Sequence, residues 1–159
     1  MAMPSDESML ESVNVSEARN FAAIFDSAVR HERPVKIVRY KREQGVFLSR
    51  EQLLRTLEHF QPTVDVMPED DGGFTLWVRE VSTRSYGATL AEARAALLGD
   101  VRSYVRHFFT MWDMYRHMSD TQAQMPYVLR LSLANDDKEL AGMLFGSTSQ
   151  PKAMGAAVG

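Results

Sequence analysis

Side chains that could bind an anion are concentrated in one short part of this sequence. Residues 28–42 carry six cations against a single acid, Glu32, although the 159-residue chain has a net charge of −3. The six cations are Arg30, Arg33, Lys36, Arg39, Lys41 and Arg42. A basic block inside an acidic chain indicates two surfaces with different partners, while a solvated face of a small domain explains the charge alone equally well.

A further cation, Arg19, could bind an anion at the start of a helix. Ser16 is a candidate N-cap, and Arg19 then occupies the position where a capping box has Glu or Gln. A cation in the first turn opposes the helix dipole. A phosphate docked on the free N–H groups would reverse that cost. The alternative is that Arg19 pairs with Glu17 or another neighbour.

Catalytic motifs are missing from the sequence. It has no P-loop, GxSxG or GxGxxG pattern, no cysteine, and no metal-binding spacing among its four histidines. The acidic turn at residues 69–71 lacks the spacing of a calcium loop. Residues 1–12 lack a signal peptide's basic start, and no apolar run is long enough to span a membrane. We expect a non-enzymatic cytoplasmic protein without metal or cofactor.

The apolar pattern of residues 13–60 predicts the first part of an α+β fold, a β-α-β-β-α unit. Residues 13–15 form a short strand, and an apolar stripe then predicts an α-helix that ends before Pro34. That stripe consists of Ala18, Phe21, Ala22, Phe25, Ala28 and Val29.

A hairpin and a second helix complete this unit. Apolar and polar residues alternate over residues 35–41, which predicts a strand. Residues 42–45 form the turn, and residues 46–48 form the returning strand of the hairpin. Ser49 caps the helix, which Pro62 ends. Its apolar face consists of Leu53, Leu54, Leu57 and Phe60.

The pattern of residues 63–118 predicts a β-β-α block. Two strands, residues 63–67 and Phe74–Val81, flank a Gly-rich turn, and Gly87 lies in the following loop. Thr89 and Glu92 form a capping box that starts a helix reaching about Met118.

Short helices are expected at the C-terminal end. Pro126 suits the first residue of a helix, whereas Leu129, Leu131 and Leu133 alternate as a strand would, and we favour the helix. Residues 136–145 form a last helix that Gly146 closes.

The aromatic run from Tyr104 to Tyr115 has two interpretations. Its side chains fill a core, or they form a face that binds a partner. They cover more than one side of a helix, so they cannot all point into one core. Phe109, Trp112 and Tyr115 are therefore the candidate partner-binding residues.

In its order of elements, the N-terminal unit resembles the Phd/YefM family of type II antitoxins. The similarity is carried by Val13-Asn14-Val15-Ser16-Glu17-Ala18-Arg19, Arg33-Pro34, the strand from Val35 to Tyr40, and Gly45-Val46-Phe47-Leu48-Ser49. In that family a short strand enters a Ser-Glu-Ala-Arg helix start, and two strands and a helix follow a proline turn. The resemblance covers about residues 13–60.

The resemblance implies a homodimer that binds operator DNA through residues 13–61 and represses its own operon. Arg19 matches a DNA-contacting arginine of the family, Arg39 matches the arginine that ends the second strand, and two further cations extend the basic loop. The candidate DNA-binding residues are Ser16, Arg19, Arg39, Lys41 and Arg42.

Residues 62–146 depart from the family's short tail and are expected to form a folded domain that binds a toxin. Residues 74–81 with residues 87–93 are similar to a strand–helix portion of HicB antitoxins. Residues 61–159 are acidic, with twelve Asp/Glu against nine Lys/Arg, which favours a basic ribonuclease of the RelE type as the toxin. Residues 1–12 and 147–159 lack apolar periodicity and are expected to be disordered.

An adaptor function is the alternative. In that case the Phd-like unit would serve only for dimerisation, and the chain would bind a protein or ligand without catalysing a reaction or contacting DNA.

Overall fold

Two units, each with its own three-stranded sheet, make up the chain: residues 1–56 and residues 57–159. This computed structural model describes residues 11–14, 16 and 20–146, and the side chains of residues 11–13 are outside that description. The α+β class expected from the sequence is confirmed. Of the residues expected to be disordered, 1–12 and 147–159, Glu11 and Ser12 lie in a strand instead, and the others are outside the described residues.

The sheet of the first unit is mixed. Strand β2, Val35–Arg39, lies in the centre, with β1, Glu11–Asn14, parallel to it and β3, Glu43–Phe47, antiparallel to it. β1 begins two residues before the predicted strand at Val13. A parallel pair needs a crossover, and the first helix supplies it.

The crossover is an α-helix that widens at its end. Helix α1, Phe21–Phe25, continues into a π-helical turn, Asp26–Arg30. Asn20 caps α1, since its side chain accepts the amide N–H of Ala23 at 3.4 Å. The prediction that Ser16 is the N-cap is therefore wrong, and Ser16 lies in an exposed turn.

The core of the first unit is small. Its buried side chains are Ile24, Ala28 and Val35, with Val29 and Phe47 packed against them. Phe21 and Phe25, which the predicted stripe directs inward, are 53% and 44% exposed. Ile24 and Ala28 stand one turn apart and face the sheet instead, which leaves the two phenylalanines at the edge.

Helix α2, Arg50–Thr56, closes the first unit and ends before the predicted boundary at Pro62. Ser49 caps it as expected, because its hydroxyl accepts the amide N–H of Gln52 at 3.1 Å. The Gln52 side chain donates to the Glu32 carbonyl at 2.6 Å. This bond ties α2 to the loop before β2.

The sheet of the second unit is an antiparallel meander. It consists of β4, Val64–Pro68, β5, Phe74–Val78, and β6, Thr83–Gly87. The predicted single strand Phe74–Val81 is therefore wrong. The chain turns after Val78, and Gly87 ends a third strand rather than lying in a loop.

Four helices follow the meander: α3, Leu90–Thr110, α4, Trp112–Tyr115, α5, Ser119–Ser132, and α6, Asp137–Phe145. None of the helices in the described part of the chain is long and apolar enough to cross a bilayer. The predicted long helix is broken near Met111. The helix favoured for residues 126–133 is present, but it starts seven residues before Pro126.

The core of the second unit lies between α3 and the inner face of the meander, and α5 and α6 cover the rest of α3. Its buried side chains are Leu76, Val78, Val81, Ala93, Leu97, Val101, Phe108, Val128, Leu131, Leu140 and Leu144. This core is much larger than that of the first unit, so the second unit is the better able to fold by itself.

Candidate functional site

The β2–β3 hairpin carries the predicted basic residues on a tight turn. The Arg42 N–H donates to the Arg39 carbonyl at 3.2 Å and closes a four-residue turn with Tyr40 and Lys41 at its centre. The prediction that residues 42–45 form the turn is wrong, since Gly45 lies inside β3. We call residues 39–43 the hairpin tip.

The two central residues of this turn have an unfavourable backbone conformation. Tyr40 has φ 51° and Lys41 has φ 59°. Two successive positive φ angles define a type I′ turn, for which Asn-Gly is the preferred sequence. A side chain with a Cβ costs roughly 1 kcal/mol or more at each such position. The tip is therefore a strained element, of the kind that is often found at functional sites.

Electrostatically, the tip is basic. Arg39 forms an ion pair with Glu43, and both side chains are more than half exposed. Lys41 and Arg42 are exposed and have no ion pair within the described residues. The tip thus presents three cations against one acid, together with Tyr40, which is 83% exposed. Cations displayed in this way suit the phosphates of a nucleic acid.

The other two predicted DNA-binding residues are Ser16 and Arg19. Ser16 is exposed but takes no part in capping α1. Arg19 lies outside the described residues, one position before the cap Asn20. The structure therefore brings Arg39, Lys41 and Arg42 together, and it leaves the place of Arg19 undescribed.

An aromatic cluster forms a second surface of the first unit. The rings of Phe21 and Phe47 meet edge to face at 5.5 Å, and the rings of Phe25 and Phe47 lie 6.1 Å apart. Both helix residues of the cluster are substantially exposed. On the opposite face of β3, Val46 is 52% exposed. A unit with so few buried side chains and this much exposed apolar surface is suited to association.

A groove of about 850 Å³ lies between α3, α5 and α6 in the second unit. Its apolar lining consists of Val101, Val105, Phe109, Leu131, Ala134 and Leu140. Phe109, one of the predicted partner-binding residues, is 40% exposed here. A partly exposed aromatic ring in a concave apolar surface is the usual composition of a protein-binding anchor site.

Charged groups border this groove. Arg102 and Asp137 form an ion pair on its lining. Asp136 accepts the amide N–H of Glu139 at 2.8 Å and so caps α6. Arg106 lines the groove without an ion pair within the described residues. The groove therefore combines an apolar interior with two arginines and two aspartates, whose charges balance.

The other two predicted partner-binding residues lie against the core. The rings of Trp112 and Tyr115 are 5.5 Å and 5.6 Å from the ring of Phe108, which is completely buried. Both are only half-buried. Phe108, Trp112 and Tyr115 are spaced as i, i+4 and i+7, the spacing of one helix face, so the two rings stay on the side of Phe108 across the break between α3 and α4. Of the three, Phe109 is thus the most accessible to a partner.

Sequence patterns missed two features of these surfaces. Tyr40 was assigned to a strand because residues 35–41 alternate, and no local motif marks a type I′ turn made of Tyr-Lys. The groove forms where α3 packs against the end of α5 and the start of α6, a tertiary contact that no sequence spacing reveals. Within the described residues, no cluster of three or more metal-ligating side chains exists.

Comparison with known proteins identifies the family. No curated protein matches the chain. A crystal structure from Syntrophomonas wolfei subsp. wolfei, presented as the antitoxin part of a proposed toxin/antitoxin system, has the same fold, with a TM-score of 0.72 and 20% identity over 85% of this chain and 96% of the other. A family model described as the PHD-like antitoxin of a RelE/RelB toxin–antitoxin system matches residues 9–146. The chain belongs to this PHD-like family and is an antitoxin of a toxin–antitoxin system.

Proposed function

We propose that this antitoxin neutralises a small basic ribonuclease of the RelE type and represses its own operon by binding DNA as a homodimer. The observation that carries the proposal is the division of the antitoxin into a unit with an exposed basic hairpin tip and a unit with an exposed apolar groove. The first would bind the operator, and the second would bind the toxin.

Support for operator binding comes from the accessible cations of the tip. Arg39, Lys41 and Arg42 would contact phosphates, and Ser16 and Arg19 are proposed to join them on the grounds of the Phd/YefM resemblance. Dimerisation through the exposed aromatic cluster would present two such sets to one operator. Each phosphate contact releases counterions, so affinity should fall steeply with salt.

Support for toxin binding comes from the groove. Phe109 would act as the anchor, and Trp112 and Tyr115, which pack on Phe108 and do not line the groove, are proposed to extend the surface that contacts the toxin. An apolar segment of the toxin would fill the interior, and the toxin's basic residues would be attracted to the net negative charge of the second half of the chain.

The deciding experiment is co-expression of the antitoxin with the product of the adjacent gene. Size-exclusion chromatography then measures complex formation, and a gel shift measures binding to the upstream promoter. A stable complex that shifts the promoter is the expected result, with the shift lost in Arg19→Ala. The absence of both complex and shift at low salt would refute the proposal.

The groove is tested separately with the same purified toxin. Phe109→Ala should weaken toxin binding about ten- to a hundred-fold, as measured by calorimetry, because an aromatic anchor carries much of an interface's energy. Met114→Ala is the matched control, since Met114 is 52% exposed and does not line the groove. Equal affinities of the two variants would place the toxin elsewhere.

A further inference from the structure

We propose that Tyr40 contacts the bases of the operator: its ring stacks on a base step of duplex DNA, and the flanking cations of the hairpin tip hold the phosphates. This inference rests on the operator binding proposed above. It assigns base contact to a residue that neither the family resemblance nor the sequence pattern singled out.

The backbone of the turn is the first argument. Tyr40 and Lys41 occupy the two positive-φ positions of a type I′ turn. Asn-Gly would make the same turn with less strain. Nothing within the tip requires a tyrosine, because its side chain is 83% exposed and fills no core. A large side chain kept at a strained and exposed position is explained by a contact outside the unit.

The surroundings of the ring are the second argument. The Arg39 guanidinium lies 5.6 Å from the centroid of the Tyr40 ring, a cation–π distance. This contact covers one side of the ring and restricts its orientation. Tyr40 is 83% exposed, so the other side of its ring is available. Stacking on an aromatic ring is a common mode of base recognition.

The positive charge of the hairpin tip favours DNA as the binding partner of Tyr40. Lys41 and Arg42 lie directly beside Tyr40, and the only acid of the tip, Glu43, is paired with Arg39. A two-stranded β-ribbon fits a groove of B-DNA. The free face of an aromatic side chain at its end can then stack on a base of a flexible, partly unstacked step while the cations contact the backbone.

The experiment uses the full chain and a promoter duplex that carries 2-aminopurine at successive positions. Four variants are compared with the wild type: Tyr40→Asn, Tyr40→Phe, Lys41→Gly and, as a control, Lys138→Ala, which removes an exposed cation from α6. The measurements are Kd at several salt concentrations, 2-aminopurine fluorescence and Tm.

Tyr40→Asn should raise Tm by about 2–4 °C, because it relieves the turn, and yet weaken promoter binding about ten- to a hundred-fold. Tyr40→Phe should keep both the affinity and the fluorescence change of the unstacked base. Lys41→Gly should reduce the salt slope of log K by about one unit, and Lys138→Ala should leave it unchanged. A more stable variant that binds less tightly cannot be explained by damage to the fold.

Unchanged promoter affinity and fluorescence in Tyr40→Asn would overturn the inference while leaving operator binding intact. If Tyr40→Asn lost toxin binding but kept promoter binding, the tip would belong to the toxin interface and the inference would also be overturned. Failure of the wild type to bind the promoter at low salt is a different outcome, which refutes operator binding itself.

Discussion

The Asp71 carboxylate links the turn between β4 and β5 to the end of β6. One carboxylate oxygen accepts the Gly73 N–H at 2.8 Å, and the other accepts the Tyr86 hydroxyl at 2.6 Å. The bond from Tyr86, followed by that from Gly73, lowers the pKa of Asp71 below its ordinary value of 3.8. The same Asp71 carboxylate raises the pKa of Tyr86. Both shifts favour the ionised carboxylate facing a protonated phenol.

We expect Tyr86→Phe to raise the pKa of the Asp71 carboxyl group towards its ordinary value, as measured by NMR titration. A lowered pKa in the folded state stabilises the fold above the unfolded pKa of about 3.9, and this contribution is lost as pH falls through the folded pKa. The variant should therefore lose less stability than the wild type on acidification. An unchanged titration of Asp71 would show that Tyr86 does not donate to it.

At the level of single residues, solvent exposure was predicted best for the charged side chains. Arg39, Lys41 and Arg42 are exposed, as a basic block requires. Tyr40 could not be singled out, because the positive φ of a non-glycine residue is imposed by the pairing of the flanking strands and leaves no trace in sequence. Which of these residues contact DNA stays a prediction.

At the level of elements, the end of β6 can pack closely against the start of α3 because residue 87 is a glycine. A Cβ on this residue would lie 2.1 Å from the backbone nitrogen of Ala93. Gly87→Ala must therefore displace the helix start from the strand, and we expect a loss of about 1–3 kcal/mol, measured by urea unfolding. Gly99→Ala is the control: it meets no atom within 4 Å and replaces a mid-helix glycine, so it should stabilise α3. Equal stabilities of the two variants would contradict this.

The start of α3 and both ends of α6 were predictable because their signals are local. Thr89 and Glu92 form the expected capping box, and Asp136 and Gly146 bound α6 as expected. Strand β6 was missed because its inward positions are polar: the Ser85 hydroxyl bonds Asp100 of α3, and this satisfies a serine where the pattern calls for an apolar residue. Helix α5 includes Pro126 since packing of Val128 and Leu131 in the core outweighs the lost hydrogen bond.

At the scale of the whole molecule, the small core of the first unit should make its stability depend on dimerisation. Phe21→Glu places an acid in the aromatic cluster and in the first turn of α1, where a negative charge favours the helix. We therefore expect a monomer with an intact helix, detected by sedimentation and circular dichroism. Met118→Glu alters an exposed apolar residue of the second unit and should leave the association state unchanged.

A dimer of the wild type should show a Tm that rises with protein concentration, because association stabilises the folded state by mass action. A Phe21→Glu protein that sediments as the wild type does would show that the cluster is not the dimer surface. The exposure of Phe21 could not be derived from the sequence, since it depends on which residues of α1 the sheet selects.

Each of the two units is built from one uninterrupted stretch of chain, with the boundary at residues 56 and 57. Synthesis from the N-terminus therefore delivers every residue of the first unit before the second begins to emerge from the ribosome, and domains generally fold in that order. The half of the antitoxin proposed to bind the operator is thus available to pair with a second copy during translation, while the half proposed to bind the toxin is still being made. Protease protection of stalled ribosome-bound chains would reveal this order.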